Sequence, residues 1–283
     1  MFKIICTDCV KGLGDIKPGK LDVVVTSPPY NLGTDYEGYD DSMPREKYLE
    51  WMVDVSWAVY QALSDQGSFF VNMGSKPTDP MIPFEVLMVL TRMFKLQNTF
   101  HWIKSISIET DKGIQSHGHY KPINSPRFVN DCHEYIFHLT KHGDVPIDRL
   151  AVGVPYADET NIKRWSTGAK VRCRGNNWYT PYKTIQSRDN DRPHPATFPV
   201  ELPEMCFRVH GLDRIRWACD PFVGIGHSAI AASRVGIPNF VGMDLSPTYC
   251  RRAQDMMEQT YAYHVGWAPP GKGGYEAILR DRS

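Results

Sequence analysis

The tetrad Ser27-Pro28-Pro29-Tyr30 follows a short apolar run, Leu21 to Val25, whose β-branched side chains read as a buried strand. Two consecutive prolines have no N–H to give to a sheet ladder, so the strand must stop there, while their carbonyls keep stiff directions. Ser27 adds a side-chain oxygen and Tyr30 a flat aromatic face. Acceptors beside a stacking surface are what a nucleobase would need if it were turned out of its helix and presented by its exocyclic amine. The plainer alternative is a strand-ending proline turn with an incidental tyrosine.

A second stretch with chemical potential lies near the other end of the chain. Asp220-Pro221-Phe222-Val223-Gly224-Ile225-Gly226 stands between an expected strand at 214–219 and an expected helix at 226–235. Glycines there let the backbone turn sharply and approach a ligand without a Cβ in the way. Asp244 ends the next expected strand, 20 residues past Gly224, where a carboxylate can accept both hydroxyl hydrogens of a ribose. The loop alone fits a dinucleotide as well as S-adenosylmethionine, and a glycine turn with no ligand is the lesser alternative.

The elements that must position these residues alternate along the chain. Strands are expected at 3–6, 21–25, 68–73, 98–104, 133–140, 214–219 and 239–243, and helices at 44–63, 83–94, 199–210, 226–235 and 247–262. Ser42 is expected to cap the first of these helices, with Pro44 in its first turn, and Ser246 to cap the last, before Pro247. Such alternation predicts an α/β layered sheet. Residues 105–130 and 141–192 break the rhythm, being polar and without apolar period. The predicted organisation is therefore two halves of one sheet, 1–140 and 193–283, separated by an insertion at 141–192.

Composition narrows the function classes. The 283 residues carry 32 basic and 32 acidic side chains, which excludes a globally basic nucleic-acid coat but not a local stripe. No apolar run is long enough to span a bilayer, and the start lacks a signal peptide, so a soluble cytoplasmic protein is expected. Seven scattered cysteines, with Cys6 and Cys9 the only C-x-x-C, fit reduced and mostly buried thiols and no structural metal site.

Thr26-Ser27-Pro28-Pro29-Tyr30 together with Asp220 to Gly226 resembles the beta group of DNA amino-methyltransferases, in which the catalytic motif precedes the cofactor loop and a recognition region lies between them. Trp102-Ile103-Lys104, His133-Glu134-Tyr135-Ile136 and His194-Pro195-Ala196-Thr197-Phe198-Pro199 add to the likeness. The resemblance implies a Rossmann-like, doubly wound sheet in circularly permuted motif order with an inserted target-recognition region. It implies S-adenosylmethionine as cofactor, leaving as S-adenosylhomocysteine. Asp8, Thr197, Asp220, Pro221, Phe222, Gly224, Gly226 and Asp244 would bind it, and Ser27, Pro28, Pro29 and Tyr30 would be catalytic. Ile225 and His227 depart from the small hydroxyl residues common in the family's loop.

Cytosine C5 chemistry needs a thiolate, usually presented after proline, and the chain has no Pro-Cys dipeptide. An exocyclic amine requires instead hydrogen bonds that localise its lone pair for direct attack on the sulfonium methyl, here from the amine to Ser27 and the Pro28 carbonyl. Ser27 and the 194–199 segment resemble the N4-cytosine enzymes more than the N6-adenine ones. Residues 163–188 hold Lys163, Arg164, Lys170, Arg172, Arg174, Lys183 and Arg188 with no acid. Trp165, Trp178, Tyr179 and Tyr182 are interleaved among them, which suits phosphate and base contact. Lys170, Arg172, Arg174, Trp178 and Lys183 are the expected DNA contacts, while the stretch with His117, His119, Lys121 and Arg127 reads equally as a second DNA-facing loop or as a plain surface loop. Duplex DNA is the expected partner, with a cognate restriction endonuclease and a homodimer as further expectations. A non-catalytic nucleic-acid-binding module and a methyltransferase for RNA or protein amide nitrogen are the competing readings.

Overall fold

The computed structural model describes residues 1–118, 123–158, 160, 162, 169–181, 197–261 and 266–268. Its centre is a nine-stranded sheet: β1 (Phe2–Cys6), β2 (Leu21–Thr26), β3 (Leu63–Met73), β4 (Lys95–Ile103), β5 (His133–Thr140), β6 (Asn177–Tyr179), β7 (Trp217–Asp220), β8 (Asn239–Asp244) and β9 (Gly266–Ala268). The spatial order is β6-β4-β5-β3-β2-β7-β8-β1-β9. Every pairing is parallel except the two made by β5, which runs against β3 and β4.

Among the described residues six helices cover the sheet: α1 (Cys9–Gly14), α2 (Arg45–Ala62), α3 (Ile82–Leu90), α4 (Glu201–His210), α5 (His227–Arg234) and α6 (Pro247–Tyr261). Alternation along the strands explains why both faces are covered. Val23 and Phe70 enter one apolar cluster with Leu202, Ala229 and Ala253 from α4, α5 and α6. Val24, Phe69 and Val71 enter the other, with Leu13, Met52, Val59 and Val86 from α1, α2 and α3. The strands thus read as almost continuous apolar runs, as a doubly covered parallel sheet requires. On α2, Tyr48, Met52, Val55, Val59 and Ala62 recur at helical spacing and are all buried.

The permuted order has a direct consequence. The N-terminal β1 lies between β8 and β9, both from the other end of the chain, while β2 lies against β7. From β2 the chain winds outward through α2 to β3, and from β7 it winds the other way through α5 to β8. Adjacent strands whose connections diverge make a topological switch point, and ligands bind outside their carboxyl ends. The Ser27–Tyr30 turn and the Asp220–Gly226 loop leave from those ends.

Several local expectations change. Ser42 does not cap α2; its hydroxyl donates to Asp40 (2.6 Å), and Pro44 opens the helix without a side-chain cap. Ser246 does cap α6, accepting from the Tyr249 N–H at 3.1 Å. The α2 helix passes straight into β3 at Leu63, five residues before the expected start of that strand at 68. Residues 105–130 are not wholly irregular, because Ser105–Thr110 and Gly113–Gly118 pair as an antiparallel hairpin. It was missed because neither strand buries a face, so no alternating pattern was selected. Part of 141–192 is woven into the main domain: Val145 and Val152 are buried, and β6 extends the sheet beside β4. No helix among the described residues is long and apolar enough to cross a membrane.

Candidate active site

The two loops are locked together at the switch point. Thr26 donates its hydroxyl to Asp220 Oδ1 at 2.6 Å, Ser228 donates to Oδ2 at 2.6 Å, and the Phe222 N–H donates to Oδ1 at 3.0 Å. Asp220 is fully buried, and desolvation raises its pKa to about 6 against these hydrogen bonds. The expectation that Asp220 contacts the cofactor is therefore corrected. Its oxygens are taken up in tying β2, β7 and α5 together, and it acts on the cleft through Phe222.

A cavity of about 210 Å³ opens between the loops, lined by Ser27, Pro29 and Tyr30 on one side and by Pro221, Phe222, Val223, Gly224 and Ile225 on the other. Asp8, Thr197 and Asp244 also line it; Pro28 and Gly226 do not. Gly226 instead takes the left-handed conformation (φ 96°) that starts α5, and a Cβ there would come within 3.0 Å of Ala253. Gly224 has φ 51°, and its N–H donates to Asp244 Oδ2 at 3.1 Å while the Ser246 N–H donates to Oδ1 at 2.8 Å. Part of the acceptor capacity of Asp244 remains for a ligand. Burial raises its pKa also to about 6, opposed by the hydrogen bonds from Ser246 and Gly224. Asp8 caps α1 by accepting from the Lys11 N–H at 3.0 Å.

One wall of the cavity was not anticipated. Tyr36, Glu37, Tyr39 and Trp51 line it, carried by the 31–43 loop and α2. Buried Asp41 organises this loop by accepting from the N–H groups of Asn31 (2.7 Å), Leu32 (3.1 Å) and Thr34 (2.9 Å). Arg45 ties it down through Asn31, Asp79 and Glu85. Thr248 of α6 donates to Glu37 at 3.0 Å, closing the loop against the cofactor-loop side. Trp51 meets Phe222 edge-on with ring centroids 5.6 Å apart. The hydroxyl of Tyr39 is buried without a hydrogen-bond partner. The cluster Tyr30, Tyr36, Tyr39, Tyr48 and Trp51 was the available signal in the sequence, masked by the lack of any regular period.

His227, a departure from the family's pattern, also has a definite contact. Its Nδ1 donates to the Phe198 carbonyl at 2.7 Å, which ties the 197–199 segment to the first turn of α5. Thr197, Phe198 and His227 all line the cavity. Residues 194–196 lie outside the described residues.

On the other side of the cavity Ser27 and Tyr30 form a polar cluster with residues from β3 and β5. Ser27 Oγ and the Tyr30 hydroxyl are 2.6 Å apart, and Tyr30 donates to Glu134 Oε2 at 3.0 Å. Asn72 Nδ2 lies 2.7 Å from both Tyr30 Oη and Glu134 Oε2. Lys104 Nζ pairs with Glu134 Oε1 at 3.0 Å. Asn72 Oδ1 is a buried acceptor with no partner. The Pro29 carbonyl is already used, accepting from the Tyr48 hydroxyl at 2.7 Å, so Tyr48 stiffens the turn from below. Glu134, Asn72 and Tyr48 all fall in elements expected from the sequence, but nothing along the chain marks them as partners of Ser27 and Tyr30.

The basic segment is only partly as expected. Lys170, Arg172 and Arg174 are exposed, but Arg174 Nε donates to the Val152 carbonyl at 2.9 Å and so also anchors its loop. Trp178 is corrected from a DNA contact to a core residue: it is fully buried on β6 and stacks on Phe100 with centroids 4.3 Å apart. Tyr179 is the exposed aromatic of that strand, with the hairpin's His117 edge-on to it at 6.3 Å. Lys183 lies outside the described residues, as do Lys163, Arg164, Trp165, Tyr182, Arg188, His119 and Lys121. Among the described residues no group of three or more metal-ligating side chains comes together, and the cysteines are free, with burial raising the Cys9 thiol well above its usual range.

A permuted Rossmann-like sheet that sets a glycine loop beside a Ser-Pro-Pro-Tyr strand end is the arrangement of a beta-group amino-methyltransferase. The chain matches the DNA methylase family over residues 21–255 and belongs to it; S-adenosylmethionine is the methyl donor of that family. It is 25% identical to the Type II methyltransferase M.HpaI of Haemophilus parainfluenzae over 92% of this chain and 75% of that one. It is also 25% identical to the DNA adenine methyltransferase YhdJ of Escherichia coli K12, over 88% of this chain and 80% of that one. In fold it resembles the cytosine-N4-specific PvuII DNA methyltransferase, with a TM-score of 0.65 at 18% identity over 89% of this chain and 84% of that one.

Proposed function

We propose that this DNA amino-methyltransferase acts on the N4 amine of cytosine in duplex DNA, taking the base out of the helix and methylating it by direct attack. The observation that carries the reading is Ser27, which lines the cofactor cleft with its Oγ 2.6 Å from the Tyr30 hydroxyl. An amine brings two N–H donors, and acceptors already fixed in place can align it without reorganising at the moment of reaction. The Tyr30 ring supplies a stacking face.

The cleft residues fit S-adenosylmethionine. Asp244 would take the ribose hydroxyls, Phe222 and Trp51 offer apolar surface to the purine, Asp8 stands near the same wall, and Thr197 and Phe198 would close over the amino-acid end. When bound, the sulfonium supplies an electrophilic methyl group. The protein's own part is to align the amine, exclude water and take away a proton. Lys170 and Arg172 would contact phosphates within a recognition region at 141–192, opposite the cofactor half at 193–283.

The test is to incubate the protein with labelled S-adenosylmethionine and unmethylated duplex DNA, then digest to nucleosides. Label in N4-methylcytosine is the expected result. Label in N6-methyladenine would support the second reading, favoured by the relationship to an adenine enzyme, and leave the alignment mechanism standing.

A further inference from the structure

The hydrogen bonds around Tyr30 have a direction set by chemistry. Glu134, ion-paired to Lys104, is an acceptor only. Asn72 Nδ2 is a donor only, and its two hydrogens are directed to Tyr30 Oη and Glu134 Oε2, with Ser27 Oγ more distant at 3.5 Å. The Tyr30 proton must therefore point to Glu134, 3.0 Å away. At 2.6 Å from Tyr30, Ser27 must then be the donor of that bond. Its proton faces away from any ligand and its remaining lone pair is left to accept. The order is Ser27 to Tyr30 to Glu134, three groups in a row with a carboxylate at the end.

We propose that Glu134 is the final acceptor of the proton lost by the target amine, reached through Ser27 and Tyr30, with Lys104 holding it in place. This rests on the amino-methyltransferase reading above. The N–C bond forms as the S–CH3 bond breaks, leaving a neutral thioether and a positive charge on the nitrogen. The nitrogen's proton passes to Ser27 Oγ, the Ser27 proton to Tyr30 Oη, and the Tyr30 proton to Glu134 Oε2. Ser27 and Tyr30 each end with one proton, as they began. The sulfonium charge and the carboxylate charge disappear together, so the partly buried site gains no net charge. Glu134 gives the proton up to water once the methylated base has left, which resets the relay. Tyr30 thus has two duties, as stacking face and as the middle of the wire.

The experiment compares wild type with Glu134→Gln, Glu134→Asp and Lys104→Met by rapid-quench methyl transfer to unmethylated duplex DNA, with calorimetric titration of S-adenosylmethionine as a control for folding. Glu134→Gln should lower kcat by about 100-fold or more, with KM for DNA and cofactor affinity unchanged. Glu134→Asp should recover part of the rate, and Lys104→Met should fall between. Lys104 from β4, Tyr30 after β2, Tyr36 from the 31–43 loop and His133 beside it face residue 134 in wild type and in Glu134→Gln alike, so the difference between the two isolates the carboxyl. Infrared difference spectra across one turnover should show a protonated-carboxyl band in wild type and none in Glu134→Gln.

Wild-type turnover in Glu134→Gln would overturn the relay alone. So would a loss in Glu134→Gln that appears in KM and that aspartate does not relieve. Wild-type protein that binds the cofactor but labels no nucleoside would overturn the relay together with the functional reading.

Discussion

Two polar clusters sit on the same pair of strands, β3 and β5, and they differ in one respect. In the closed cluster, Ser68 lies between His138 Nε2 (2.9 Å) and His210 Nδ1 (2.8 Å), and His138 Nδ1 accepts from Asn98 at 3.0 Å. One consistent chain of donors runs from Asn98 through His138 and Ser68 to His210. In the open cluster, four residues further along β3, Ser27 and Tyr30 reach the cavity and Ser27 keeps an acceptor direction there, while Asn72 Oδ1 is buried without a partner. A saturated buried network rigidifies the core, whereas an unsaturated one carries an unmet need that a substrate can meet. Ser-His pairs look like chemistry in a sequence; here burial at 0–1% exposure makes them structural.

The largest effect should come from titrating the closed cluster. Desolvation lowers the pKa of both His138 and His210 to about 3 from 6.5. The folded state then binds fewer protons than the unfolded state, so stability is present above pH 6.5 and lost as pH falls toward 3, on the order of 4 kcal/mol per ring. Asp220 and Asp244, raised to about 6 from 3.8, act in the opposite sense, favouring the folded state as pH falls through 6. The two pairs offset each other between about pH 6 and 4. Denaturant unfolding across pH should be shallow in that window and fall below it, and Asp244→Asn should steepen the upper part.

The open cluster should respond in rate and not in stability. Ser27→Ala should lower turnover by about 100-fold or more, the usual loss when one preorganised hydrogen-bonding group is removed from a reacting centre, with cofactor affinity unchanged by calorimetry. Ser68→Ala provides the reverse case: it should cost about 1–3 kcal/mol of unfolding free energy by leaving a buried ring nitrogen unpaired, while turnover of the folded protein persists. If Ser68→Ala lowers turnover as Ser27→Ala does, the division between the two clusters fails.

Asp244→Ala should weaken cofactor binding by about 1.5–3 kcal/mol, the range for a charge-assisted hydrogen bond. Ribose hydroxyls favour the ionised carboxylate, so affinity in wild type should rise with pH through about 6 and be flat in Asp244→Asn. The smallest effect concerns the exposed basic segment. Arg172→Ala should reduce the slope of log K for DNA against log salt by roughly 0.9. Arg174→Ala should do the same and also loosen its loop, because its Nε holds the Val152 carbonyl. Salt titrations together with thermal unfolding separate the two.

Much of the site was legible because it is contiguous. Ser27 to Tyr30 and Asp220 to Gly226 are short runs in which proline and glycine constrain the backbone wherever they stand, and strand periodicity placed them at strand ends. The alternation of elements, the two halves of one sheet and the Ser246 cap follow from the same local rules. What the sequence could not determine was who meets whom across the sheet. Asp220 is an acid in a cofactor-loop motif, yet Thr26, reached across 194 residues, turns it inward. Trp178 stands among arginines, yet β6 pairing with β4 buries it. Glu134 reaches Tyr30, 104 residues away, only because β5 runs antiparallel beside β3. Side-chain chemistry is local and can be read along the chain. Desolvation and the pairing of donors with acceptors belong to the assembled sheet, and they decide which polar groups are spent on the fold and which are left for a substrate.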